Sequence, residues 1–315
     1  MGQFESAIIE ISGKCNACCK WCVTGRDNRY GIRGVKTCLS FRQFKEIYEH
    51  LMRLKAVDKR KDIMLYSWGE PFLNQEAMEI FSFLSENEQS YSISTNGSIY
   101  REALNNRTYK YMSSVTFSMS GFSQASYNKI HKFDFDQICK NIGKLLTNMR
   151  KNGFTGNAII VFHVYQFNTQ EVEEASKFAK RLGASFVPYY AYFNGLSLAK
   201  KYVNKTFSDK EQSEMESEIC LHYVEQRRNE IPADFKCPLR KILTIDEKGR
   251  LVICCAADCH TEGYVLGNIF SYDTIEEIEK RLDWAMKNNS ECVECHAKKI
   301  DAWLTKYEEW NGNLI

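Results

Sequence analysis

Proline is scarce in this chain, four in 315 residues, and no glycine- or serine-rich stretch interrupts it. Loosely tethered units on a flexible linker are therefore not expected, and whatever parts the chain has should pack together. Long apolar runs are also missing. No stretch approaches the roughly 18 consecutive apolar residues of a membrane-spanning helix. The start, MGQFESAIIEISGK, has no basic segment followed by an uninterrupted apolar core, as a secretion signal would. Nor is there an excess of one charge: 42 Lys and Arg against 40 Asp and Glu leave +2, so no strong field points to nucleic acid or an anionic membrane. Repeats and low-complexity runs are absent. What remains is a globular protein with 44% hydrophobic residues and room for one large part and one small.

Cysteine is what the chain has in plenty, 13 in all. An odd count, tight clustering and no secretion signal argue against a disulfide framework. They favour metal or redox chemistry in a reducing cytoplasm.

The first two thirds alternate strand-like and helix-like segments. Strands are expected at 4–12, 62–68, 90–95, 113–120, 157–165 and 185–193. Helices are expected at 40–54, 75–86, near 101–112, near 123–131, at 135–152 and from 168 to 182. Ser40 with Gln43, and Asn168 with Glu171, have capping spacing. Six successive βα units imply a mainly parallel sheet curled into a full or partial barrel. Residues 202–228 read as a polar helical connector capped by Ser208 and Glu211. Beyond it, ILTIDEKGRLVI carries a hairpin signal with its turn at Asp246–Gly249, and a helix starts at Thr274 with Glu277 completing the cap.

The densest chemistry is CNACCKWC, in which Cys15, Cys19 and Cys22 are spaced x3 and x2. Three thiolates in one short loop can wrap three irons of a [4Fe–4S] cube and leave the fourth open to a small bidentate ligand. The other reading of the triad is a zinc knuckle, with Cys18 or a distant residue as fourth ligand. WGEP (68–71) follows the second strand, STNG (94–97) the third and FSMSG (117–121) the fourth. In WGEP, Gly69 lets the backbone approach a ligand, Glu70 can accept from an ammonium group and Pro71 stiffens the turn. Taken singly each is a turn signal, but together they fall at strand C-terminal ends, the active-site face of a β/α barrel. The fifth and sixth strands add His163, Tyr165, Tyr189, Tyr190, Tyr192 and Asn194 as groups able to face a substrate. His163 is the expected base, with Tyr190 beside it, and the alternative for each is a place in the barrel core. A second group, Cys237-x11-Gly249-x4-Cys254 followed by Cys292-x2-Cys295, can close either a Zn²⁺ site or another iron–sulfur cluster.

The cysteine spacing, with Trp21 just before the last thiol, and the order of the strand-end motifs resemble the radical S-adenosylmethionine superfamily over roughly residues 5–200. The resemblance implies a partial (β/α)6 TIM-like barrel, an S-adenosylmethionine-binding [4Fe–4S] cluster on Cys15, Cys19 and Cys22, and Cys18 as a bystander. It implies cofactor contacts from Glu70 to the amino group, and from Ser94, Asn96 and Ser118 to ribose and carboxylate, with Lys129 a further carboxylate candidate. The Trp21 backbone would lie beside the adenine with its ring in the adjoining packing, and Val161 or a neighbour would flank the adenine. The later cysteines resemble the twitch domain, the shortened relative of SPASM, which implies an auxiliary [4Fe–4S] cluster on Cys237, Cys254, Cys292 and Cys295. Cys255 stands adjacent to Cys254 as another candidate. The expected division is a barrel with connecting helix over 1–228 and a twitch domain over 229–315.

The comparable build of twitch dehydrogenases leads to the expectation of a small polyhydroxylated substrate, sugar- or cyclitol-like, oxidised by two electrons. The auxiliary cluster would accept an electron, and flavodoxin or ferredoxin would act as external reductant. A peptide maturase or a redox-neutral sugar dehydratase or epimerase is the alternative. Nothing before residue 5 could form a leader-binding domain, which weighs toward the small molecule.

Overall fold

The computed structural model describes residues 4–32, 36–220, 237–257, 263–289 and 292. Six strands run in parallel and in chain order across the sheet. They are β1 (Ser6–Ile9), β2 (Ile63–Met64), β3 (Tyr91–Thr95), β4 (Met112–Met119), β5 (Asn157–Val164) and β6 (Ser185–Tyr190). Parallel neighbours need crossovers. These contain α1 (Val23–Tyr30) and α2 (Phe41–Arg53) before β2, then α3 (Ala77–Glu86), α4 (Gln124–Lys129), α5 (Phe135–Lys151) and α6 (Val172–Arg181). After β6 come α7 (Leu196–Val203) and α8 (Asp209–Glu218). This is the parallel core of a partial (β/α)6 barrel.

Alternation along the strands separates two faces. On β5, Ala158, Ile160, Phe162 and Val164 are buried against the helices, whereas Ile159, Val161 and His163 are half-buried on the inner face. Ser118 on β4 shares that inner face, and β6 places Tyr189 on it and Tyr190 in the helix-side core.

The hairpin falls where the sequence places it. β7 (Ile242–Ile245) and β8 (Arg250–Val252) pair antiparallel, with Gly249 at φ 72° closing the turn as a residue without a β-carbon does easily. β7 also pairs in parallel with β1, and β9 (Val265–Asn268) continues the sheet, so one nine-stranded sheet runs β6-β5-β4-β3-β2-β1-β7-β8-β9. The helix from Thr274 is α9 (Ile275–Asn288). Capping boxes at Ser40–Gln43, Ser208–Glu211 and Thr274–Glu277 all form.

Two expectations fail for a local reason. No helix forms near 101–112. There the Thr108 hydroxyl accepts from the Asn105 amide and the Asn105 side chain from the Arg107 amide, competing with helical bonding. Asn168 does not cap α6 either. Its side chain accepts from the Tyr165 amide and donates to the Ser120 and His163 carbonyls, while Glu171 accepts from Ser126 at 2.9 Å and from Phe122 and Ser123. Asn168 thus ties the end of β5 to the end of β4, and Glu171 ties the start of α6 to the start of α4. Of the 202–228 connector, the structure describes the part that ends at residue 220.

Candidate active site

The inner face ends in a cavity of about 360 Å³ at the C-terminal ends of the strands, and Cys15, Cys19 and Cys22 all line it. The loop carrying them is fixed by backbone acceptors. The Asn28 side chain donates to the carbonyls of Cys15 and Ala17 at 2.7 Å each, and Arg29 to those of Cys18, Lys129 and Ile130 at 2.8–2.9 Å. Gly25 is required: a β-carbon there would lie 2.4 Å from the Cys19 carbonyl oxygen. The loop also closes the barrel mouth, because Asn194 after β6 donates its amide to the Trp21 carbonyl at 2.7 Å and accepts from Val23 at 3.1 Å.

Trp21 is buried. Its ring packs edge-on against Phe193 and Phe207, and its indole nitrogen donates to Glu218 at the end of α8, 3.0 Å away. Lys20 bonds the same carboxylate at 2.6 Å and Arg26 pairs with Glu211. The connector helix is thus a brace for the cysteine loop, a role that its polar sequence did not reveal.

Burial pushes the Cys15 thiol up to about 12 and raises those of Cys19 and Cys22, in each case chiefly by desolvation. As bare thiols they stay protonated, and a cation would have to draw off the protons for them to ligate. Two amides are placed to support sulfur: Asn96 Nδ2 is 3.9 Å from Cys15 Sγ, and Asn194 Nδ2 is 3.8 Å from Cys22 Sγ. Among the described residues no three His, Cys, Asp or Glu side chains converge as a single-ion site, and the three thiols share the wall of one cavity. Cys18 is not part of the cavity wall.

Gly69, Glu70, Ser94, Asn96 and Ser118 line the same cavity. Two of them also make close contacts within the protein. A β-carbon on Gly69 would lie 1.8 Å from the Ser12 carbonyl oxygen, so glycine is required there by the loop after β1. The Glu70 carboxylate accepts from Thr95 Oγ1 at 2.7 Å, the Asn96 amide at 2.8 Å and the Phe72 amide at 3.2 Å. Both its oxygens are engaged within the protein, and burial raises it to about 7. Beneath this motif Glu10, which sequence reasoning missed, accepts from the amides of Trp68 and Gly69 at 2.6 and 2.8 Å. Desolvation, with Glu247 nearby, raises Glu10 to about 8. Only a buried glutamate directly after an apolar strand run could have signalled it.

Lys129 does not come to the cavity; its ammonium lies 4.3 Å from the Phe167 ring centroid. Val161 sits in register with Ser118 but is not on the cavity wall. Tyr190 is likewise a correction. It pairs in register with Val164 on the helix side, and the cavity receives its neighbour Tyr189, in register with His163. The Tyr189 hydroxyl bonds His163 Nε2, and the rings meet edge-on with centroids 4.7 Å apart. Burial pulls His163 down to about 4 and His131 to about 3, so both imidazoles are neutral near pH 7. Among the described residues no Lys or Arg side chain lines the cavity.

In the C-terminal part, Cys237 begins the turn into β7, and Cys254 is buried with Cys255 and Cys292 near enough to raise its thiol further. Cys295 lies outside the described residues. Trp68, between the cavity-lining Ser67 and Gly69, reaches this part, its indole nitrogen donating to the Ala257 carbonyl at 3.1 Å.

The radical SAM superfamily profile matches residues 9–179, more than half of the chain, and ends just short of the last barrel strand. The chain belongs to the radical SAM superfamily. The family uses a [4Fe–4S] cluster and S-adenosylmethionine, and the cavity with its three cysteines fits that pair. No curated protein matches the sequence. Among solved structures, SuiB of Streptococcus suis bound to its precursor peptide SuiA is 14% identical with a TM-score of 0.59, over 94% of this chain and 70% of that one. The anSMEcpe structure with bound AdoMet is 15% identical with a TM-score of 0.55, over 98% and 97%. BtrN, in complex with AdoMet and 2-DOIA, is 14% identical with a TM-score of 0.46, over 93% and 92%. No helix among the described residues is long and apolar enough to cross a membrane.

Proposed function

We propose that the protein oxidises a small neutral polyol, sugar- or cyclitol-like, by radical chemistry. Cys15, Cys19 and Cys22 would hold the cluster, and Ser94, Asn96 and Ser118 are in place to contact the cofactor. S-adenosylmethionine on such a cluster supplies a 5′-deoxyadenosyl radical able to take a hydrogen atom from carbon.

One observation carries the substrate class: among the described residues the cavity offers hydroxyls, amides, neutral imidazoles and the Glu70 carboxyl, but no Lys or Arg side chain. A phosphorylated or carboxylated substrate would enter with its charge uncompensated, at a cost of several kcal/mol. Uncharged hydroxyl groups find donors and acceptors on every side. Cys237, Cys254, Cys292 and Cys295 would hold an auxiliary [4Fe–4S] cluster as electron acceptor, joined to the cavity wall through the Trp68–Ala257 contact. A flavodoxin or ferredoxin would supply the priming electron.

A peptide maturase is the second reading, favoured by the shared fold of SuiB, which was solved with its precursor peptide. The experiment is anaerobic turnover with S-adenosylmethionine and dithionite against myo-inositol, scyllo-inositol and 2-deoxystreptamine, alongside short peptides. The proposal expects one 5′-deoxyadenosine per ketone from a cyclitol, without a second equivalent of reductant in each cycle. Turnover of peptides alone would overturn it.

A further inference from the structure

β5 and β6 bring a phenol and an imidazole together with their hydrogen-bond directions fixed. His163 Nδ1 is 3.2 Å from the Met119 carbonyl oxygen, which can only accept. Nδ1 therefore carries the proton and Nε2 is the acceptor, so the Tyr189 hydroxyl donates to Nε2. A phenol whose one proton points at an imidazole shows only lone pairs to the cavity. Any hydroxyl of a bound molecule that meets Tyr189 must donate to it. Behind the pair, Ser120 Oγ lies 3.4 Å from His163 Nδ1 and 2.7 Å from His131 Nε2. His131 is fully buried and its Nδ1 has no hydrogen-bond partner among the described residues.

We propose that Tyr189 accepts the substrate's hydroxyl proton while handing its own to His163 Nε2. Tyr189 is then the catalytic residue, and His163 acts through it as proton acceptor. The assignment rests on the polyol-oxidation reading above. In this step the substrate O–H bond breaks, an O–H bond forms on Tyr189, and the former Tyr189 proton becomes the Nε2–H of an imidazolium. No electron moves; the hydrogen atom and the remaining electron leave separately, for the deoxyadenosyl carbon and an iron–sulfur acceptor. The Met119 carbonyl at Nδ1 steadies the imidazolium.

The order of events follows from the weakness of the base. Burial keeps His163 near 4, far too low to deprotonate an ordinary alcohol. A hydroxyl on a carbon that has lost a hydrogen atom is much more acidic than its parent alcohol. Hydrogen abstraction therefore comes first and proton transfer second, and the resting enzyme does not ionise its substrate.

Two measurements test this. In the first, the oxidised holoenzyme is labelled with ¹⁵N-histidine, and His163 is assigned by its loss in His163→Gln. The expected spectrum shows His163 as the neutral Nδ1–H tautomer at pH 7.5, with an Nε2 resonance that moves in Tyr189→Phe. An Nε2–H tautomer, an imidazolium, or no shift in Tyr189→Phe overturns the proposal, whatever the substrate. In the second, the cyclitol from the panel above that gives most ketone is used. Tyr189→Phe and His163→Gln should raise the ratio of 5′-deoxyadenosine to ketone at least tenfold, a partition that simple loss of folding would not produce. Tyr190→Phe, altered on the helix side of the same strand, should leave the ratio unchanged. A wild-type ratio in Tyr189→Phe overturns the proposal. A panel with no substrate counts against the polyol reading, and the tautomer then decides the dyad by itself.

Discussion

Asn194 reaches across the barrel mouth to Cys22, its amide nitrogen 3.8 Å from the thiol sulfur, while its backbone pairs with residues on either side of that cysteine. One residue after β6 thus both anchors the cysteine loop and offers a donor to the Cys22 sulfur, one of the three proposed cluster ligands. Donors to sulfur stabilise the more negative, reduced form of an iron–sulfur cluster and raise its potential. Asn194→Leu removes the donor and keeps the backbone bonds. It is expected to keep wild-type iron content and to lower the midpoint potential, read by redox titration followed by electron paramagnetic resonance. An unchanged potential would show that the amide does not reach the sulfur.

Gly69 has a strictly steric role. With a β-carbon 1.8 Å from the Ser12 carbonyl, Gly69→Ala must displace backbone at both the strand-β1 loop and the Glu70 turn. A cost of about 3 kcal/mol or more is expected, at or beyond the upper end of ordinary overpacking. Thermal unfolding of the variant checks it, and a melting temperature within a degree of wild type would contradict the contact.

Glu10 predicts a pH dependence whose sign is fixed. Its native pKa, about 8, lies above the ordinary 4.5, with Glu247 and Asp246 the acidic groups facing it. Between those values the folded state holds the proton that the unfolded chain has released, so stability falls as pH rises and the loss is complete above 8. From pH 6 to 9 this amounts to on the order of 2–3 kcal/mol. Glu10→Gln still accepts from the Trp68 and Gly69 amides but cannot ionise. Its melting temperature should fall less between pH 6 and 9 than that of wild type, and parallel slopes would refute the assignment.

The barrel was readable because each strand carried a β-branched or aromatic run and each following motif broke it in a place that only a strand end explains. Three cysteines at x3 and x2 spacing were legible in the residues themselves, Glu70, Ser94, Asn96 and Ser118 followed from the family resemblance of the strand-end motifs, and all meet at one cavity. What was missed depends on register and distance. Tyr189 and Tyr190 are chemically identical neighbours, and a strand's alternation has no absolute phase until its partner fixes it: His163 opposite Tyr189 sends Tyr190 to the helices. Lys129 was placed by motif order, but the Phe167 ring holds its ammonium elsewhere. Glu10 and Glu218 act on segments up to 198 residues away, and no local pattern reports such contacts. Asn194 was named for the substrate face, but its contact with Cys22, 172 residues away, was equally invisible. Asn168 and Glu171 had the right spacing for a cap and were drawn instead to the end of β5 and the start of α4.

The central claim is that the Cys15, Cys19 and Cys22 thiols, and not Cys18, hold the cluster on which S-adenosylmethionine is cleaved. Its most direct measurement is 5′-deoxyadenosine formed anaerobically with dithionite, alongside iron and zinc content, for wild type and the four single alanine variants. Cys18→Ala is expected to retain both iron and cleavage. Cys15→Ala, Cys19→Ala and Cys22→Ala are each expected to lose cleavage entirely. Cleavage that survives in any of those three, or stoichiometric zinc in place of iron, would contradict the account.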